Sequence, residues 1–145
     1  ITKSMSIKSI ISGAFMILLA SSVSCPAQTN GQGEEDASVS EGLTEVYYFH
    51  YERRCATCLA VENESEKALK ELYPEKVESG EITFLSVNLE DDSNDALAEK
   101  LNVTGQSLII VKDGKQDNLT NTAFMHARTN PDKLKSAIKE SIEKL

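Results

Sequence analysis

The chain has 145 residues, 40% hydrophobic, 26% charged and 6% aromatic, with no Trp. That length and balance suit one globular domain, and exclude both a wholly disordered chain and a multidomain one. Fifteen basic residues against 23 acidic ones give a net charge of −8, and no basic cluster exceeds Arg53–Arg54. Such a surface repels phosphate backbones, so no nucleic acid partner is expected.

Lys3 and Lys8 precede the apolar run Ile10–Ala20, which is followed by Ser21-Ser22-Val23-Ser24 and then Cys25. A basic start, a short apolar centre and a small-residue exit make residues 1–27 an export signal. The run has about 11 residues, against the roughly 20 that a membrane-spanning helix needs. Val23-Ser24-Cys25 resembles the end of a bacterial lipoprotein signal, in which Cys25 would become the lipidated first residue. Ser22 stands where such signals carry Leu, and cleavage after Ala27 is the competing exit. Lipidation is preferred, which predicts a domain in the periplasm or cell envelope, held to the membrane by an N-terminal lipid. Pro26 to Gly42 contains no aromatic, Leu or Ile. Too little apolar surface is present there to offset ordering entropy, so residues 28–42 read as a flexible tether.

Residues 43–145 carry alternating patterns of one α/β domain. Val46–Phe49 reads as a buried strand, and Ala56 to about Tyr73 as a helix ending before Pro74. Glu81–Leu89 alternates as a second strand, and Ser93 can cap a short helix carrying Ala96, Leu97 and Leu101. Leu108–Val111 is a third strand, and Asp113-Gly114 turns it into a hairpin with Lys115–Leu119. Phe124–Arg128 then reads as loop, and Asn130-Pro131 opens a last helix with Leu134, Ala137, Ile138 and Ile142 on one face. The order β-α-β-α-β-β-α predicts a mixed four-stranded sheet with helices on both faces. Its strand–helix–strand units favour parallel pairing, and the hairpin adds an antiparallel edge.

The chemistry gathers where the first strand meets the first helix, in His50-Tyr51-Glu52-Arg53-Arg54-Cys55-Ala56-Thr57-Cys58. Cys55 and Cys58, three residues apart on a helix, lie within disulfide reach. Cys55 falls at the helix N-terminus, where the dipole and free amides favour a thiolate. Arg53 and Arg54 add positive charge beside it, and Thr57 has a hydroxyl to offer. Cys58, one turn inside, is placed to resolve a mixed disulfide.

A CxxC opening the first helix of this element order resembles the thioredoxin superfamily, over about residues 43–145. Tyr47–His50, Arg53–Cys58 and Ala127–Pro131 more narrowly resemble small exported bacterial proteins known as nitrophenyl-compound nitroreductase subunits. The superfamily resemblance implies a nucleophilic role for Cys55 and a resolving role for Cys58. The chain departs from it in three respects. Arg54 stands in place of Trp, and Ala56-Thr57 in place of Gly-Pro. Tyr48 lies about where the buried acid belongs. The cis-proline facing the disulfide is missing from Val103–Leu108, so Gln106 or Ser107 takes its place in the groove.

The expected function is thiol–disulfide oxidoreduction by Cys55 and Cys58, without a cofactor. The partner is a protein disulfide or dithiol, or a membrane thiol carrier. One alternative is a copper or zinc module in which His50 joins the two thiols. Another is a redox-inert adaptor with a permanent disulfide. His50 otherwise relays a proton or sits at a strand end, and His126 is a remote further ligand. Glu90-Asp91-Asp92 with Asp95 lacks EF-hand spacing and reads as a solvated acidic loop.

Overall fold

The computed structural model describes residues 42–145. The export signal, Cys25 and nearly all of the tether lie outside the described residues. Four strands, β1 (Thr44–His50), β2 (Ile82–Asn88), β3 (Ser107–Lys112) and β4 (Lys115–Asn118), form one sheet in the order β2-β1-β3-β4. β1 and β2 run parallel, with Tyr48 opposite Ser86, whereas β3 is antiparallel to β1, with Tyr48 opposite Leu108. The second strand–helix–strand unit therefore does not give a parallel pair. β3 docks on the far side of β1 from β2, in the reverse direction, and β4 completes the antiparallel hairpin. Asp113 and Gly114 both have positive φ, 50° and 74°, as a two-residue hairpin turn of this hand requires.

Among the described residues five α-helices cover the sheet: α1 (Ala56–Leu72), α2 (Pro74–Ser79), α3 (Asp95–Lys100), α4 (Thr120–His126) and α5 (Pro131–Lys144). The alternation along β1 divides the core in two. Val46 and Tyr48 point to one face, where they meet Val61 and Leu69 of α1, Ala123 of α4, and Leu134 and Ile138 of α5. Tyr47 and Phe49 point to the other, where Val87 and Ile109 pack with Leu97 and Ala98 of α3. This mixed sheet, with its first β-α-β unit parallel and a terminal hairpin antiparallel, is the thioredoxin-like fold.

Two helices were not expected. Pro74 ends α1 but also supplies the first residue of α2, a position where its missing N–H costs nothing. Of the Phe124–Arg128 segment read as loop, Phe124–His126 form the end of α4, which buries only Ala123. Asp91, not Ser93, does the capping after β2. Its carboxylate accepts from the Ser93 amide at 3.0 Å and hydroxyl at 2.6 Å, opening a 3₁₀ turn at Asp92–Asn94. The same bonds hold the Asp91 carboxyl below its ordinary pKa, the hydroxyl first and the amide second. Among the described residues no helix is long and apolar enough to cross a membrane.

Candidate functional site

β1 delivers the chain to its C-terminal edge at His50, and a bend carries it into α1 with Cys55 as the N-cap. Cys55 has extended backbone there, and its Sγ accepts the Cys58 amide N–H at 3.3 Å. A thiolate in that position replaces the capping oxygen of Ser or Asp, and meets amides that the helix itself leaves unpaired. Cys55 is exposed and Cys58 is 3% exposed.

This one-turn separation divides the two thiols chemically. The Cys55 pKa is lowered, first by the Cys58 side chain, then by the Cys58 amide, with the Thr57 amide a smaller contributor. The Cys58 pKa is raised, first by burial and then by the Cys55 sulfur next to it. Thr57 thus acts through its backbone. Alkylation of the reduced protein by iodoacetamide is expected to show two pH steps. Cys55 should react at pH values below the ordinary thiol range, since its thiolate persists there, and Cys58 only above that range. A single step at the ordinary value for both would contradict the arrangement.

The loop before β3 closes over the buried thiol. Cys58 Sγ donates to Gln106 Oε1 at 3.2 Å, so Gln106 lies against the motif where the resemblance placed the missing proline. Among the described residues there is no cis peptide bond. Ser107 turns elsewhere, its hydroxyl donating to the Gly105 carbonyl at 2.9 Å. Across the same mouth, the Tyr51 hydroxyl lies 3.7 Å from where a Cβ on Gly105 would stand. Tyr51 and Leu59 leave large apolar surfaces exposed beside the motif.

The arginines are placed differently from each other. Arg53 is exposed. Arg54 is half-buried and pairs with the Glu62 carboxylate on α1. Its Nη2 also meets His50 Nε2 at 2.5 Å and Ser86 Oγ at 3.4 Å, and Ser86 in turn donates to Glu62 at 2.6 Å. A guanidinium can only donate, so His50 Nε2 accepts and its Nδ1–H donates to the Tyr51 carbonyl at 2.9 Å. Both ring nitrogens are therefore occupied, and the Arg54 guanidinium lies against Nε2.

His50, Cys55 and Cys58 accordingly do not form the metal set considered from the sequence. No group of three or more His, Cys, Asp or Glu is gathered for a metal among the described residues. His126 closes α4 as part of no such cluster. Glu62 and Ser86 were missed in the sequence. Glu62 lies four residues after Cys58, one further turn along α1, and that spacing was the available signal.

Behind the motif stands Tyr48. It is fully buried on the α1 face of the sheet, and its hydroxyl makes no hydrogen bond. Its pKa is pushed up, first by burial and then by the Cys58 sulfur, while Arg54 opposes the rise.

No family model matches the chain, and neither does any curated protein. Among solved structures it is similar to thioredoxin from Fasciola hepatica, at 27% identity over 70% of this chain and 83% of that one, with a TM-score of 0.47. It is also similar to thioredoxin O2 from Arabidopsis thaliana in its oxidized state, at 22% identity, 68% and 75% coverage, and a TM-score of 0.47. Thioredoxin from Trypanosoma brucei brucei follows at 22% identity, 72% and 80% coverage, and a TM-score of 0.45.

Proposed function

We propose that the protein is an exported thiol–disulfide oxidoreductase that cycles a Cys55–Cys58 disulfide. The observation that carries this reading is the opposed pair of thiols on one helix turn. The exposed thiol has its pKa lowered and the buried one has its pKa raised. Thiol–disulfide exchange needs that asymmetry, because one sulfur must meet the partner and the other must wait to release it. Cys55 attacks the partner disulfide, and one partner sulfur leaves as thiolate. Cys58 then attacks Cys55 Sγ, which frees the second partner sulfur and closes the Cys55–Cys58 bond.

Export rests on residues 1–27, and attachment to the cell envelope on lipidation at Cys25. The stretches Tyr47–His50, Arg53–Cys58 and Ala127–Pro131 support kinship with the small exported bacterial proteins named above. The partner is a protein disulfide or dithiol, or a membrane thiol carrier. The acidic chain favours a partner with a basic docking patch.

Equilibration of the metal-free protein in glutathione buffers tests the reading. A single two-electron transition between about −120 and −270 mV is expected, the span of working dithiol couples. A disulfide that resists reduction below about −300 mV would make the pair structural and overturn the proposal.

A further inference from the structure

Arg54 immediately precedes the exposed thiol, and its guanidinium stays charged at every working pH. A cation beside a cysteine ordinarily stabilises the thiolate. Here the hydrogen bonds of the guanidinium lead elsewhere. Nη1 lies on the Glu62 carboxylate of α1, and Nη2 meets His50 Nε2 at 2.5 Å and Ser86 Oγ at 3.4 Å. Ser86 donates to the other Glu62 oxygen at 2.6 Å, so both carboxylate oxygens are engaged. The Arg54 and Glu62 side chains are 23% and 18% exposed, which leaves the pair poorly screened by salt. Cys55 Sγ accepts from the Cys58 amide and makes no hydrogen bond to Arg54 among the described residues.

We infer that Glu62 withholds the Arg54 charge from Cys55, and so sets how readily the thiolate forms and how oxidising the Cys55–Cys58 couple is. The inference rests on the exchange reading above and names a positioning residue for its nucleophile, one that acts through Arg54. A guanidinium in contact with a carboxylate presents a dipole, whose field at the sulfur is weaker than that of a lone positive charge. The influences that lower the Cys55 pKa accordingly come from Cys58 and from backbone amides, with no arginine among them. Reduction by glutathione converts the Cys55–Cys58 bond and two glutathione thiols into the dithiol and one glutathione disulfide. The disulfide carries no thiolate, so whatever stabilises the Cys55 thiolate favours the dithiol and makes the couple more oxidising. The titratable and charged groups facing Arg54 are Glu62 from α1, and His50 and Tyr48 from β1. Those near Cys55 are Cys58 on its own helix and Tyr51, Glu52 and Arg53 in the loop. The Glu52 amide donates to Glu90 beyond β2 at 2.5 Å.

The test is the pH dependence of Cys55 alkylation by iodoacetamide in the reduced protein. Glu62→Gln keeps the size of the side chain and one acceptor, and removes only the charge. Its Cys55 midpoint should fall by about half a pH unit or more, which raises the rate below the midpoint about three-fold. In glutathione buffers the equilibrium should shift towards the dithiol by up to about the same factor. Adding Arg54→Met to Glu62→Gln should bring the midpoint back to within about 0.2 units of the parent, because the carboxylate acts through the arginine. An unchanged or raised midpoint in Glu62→Gln would overturn the inference, as would an equal fall in the single and double variants. Loss of the folded state in Glu62→Gln, read by circular dichroism, would make the pair a structural tie and overturn it as well. A parent couple that does not equilibrate with glutathione would instead sink the exchange reading, while the alkylation midpoints still stood. The two failures are thereby distinguished.

Discussion

Cys55→Ser is expected to abolish disulfide exchange, by roughly three orders of magnitude or more, because no other thiol among the described residues is exposed. A serine hydroxyl at the helix N-cap keeps the cap but is no nucleophile at neutral pH. The fold should therefore survive intact, and stability measurements on the variant separate lost chemistry from lost structure. Cys58→Ser should behave differently. Cys55 still attacks, and mixed disulfides with the partner accumulate because nothing resolves them. The attack itself should slow at neutral pH, since the Cys58 side chain is the largest influence lowering the Cys55 pKa. Gel analysis under non-reducing conditions reads both outcomes. Equal turnover by the Cys55 variant and the parent would end the proposal.

The second large effect concerns the helix that supports the motif from behind. Ile138→Ala should destabilise the protein by about 3 kcal/mol, the usual range for emptying a buried isoleucine site. Ile138 is fully buried between α5, α1 and the sheet, in the cluster that includes Val61, Leu69, Ile110 and Leu134. For a domain of this size the melting temperature should fall on the order of 10–20 °C. Lys139→Ala, one residue further on an exposed surface, should change stability by no more than about 0.5 kcal/mol. Calorimetry of the two variants decides it, and a matching loss in both would mean that α5 does not pack as described.

The large features of the fold were legible because they are periodic. Val46–Phe49 and Leu108–Val111 read as buried strands, and Leu134, Ile138 and Ile142 as one face of a helix. The Asp113-Gly114 turn was equally plain, since few dipeptides accept two positive φ values. What escaped was set by tertiary contact. α4 buries one alanine and has no side-chain cap, so its sequence carries almost no helical signal of its own. The reversed direction of β3 leaves no trace in hydropathy, because an apolar run reads the same either way. At the site, spacing alone marked Cys55 and Cys58. The fate of Arg54 depended on Glu62 and Ser86, which reach it from α1 and β2 across distances no local pattern encodes. Its guanidinium is consumed by that carboxylate and by His50, and is not among the main influences lowering the Cys55 pKa.

The order β2-β1-β3-β4 sets a condition on any edge-to-edge pairing of copies. Among the described residues its two edge strands are unlike. β4 is four residues long, Lys115-Gln116-Asp117-Asn118, and mostly exposed. A rim so short and polar is a poor template for another chain. β2 is seven residues long and exposes Leu85. Growth by edge-to-edge addition needs two receptive rims on every copy, and among the described residues this sheet offers one. Copies joined through β2 would stop at pairs rather than extend into fibres.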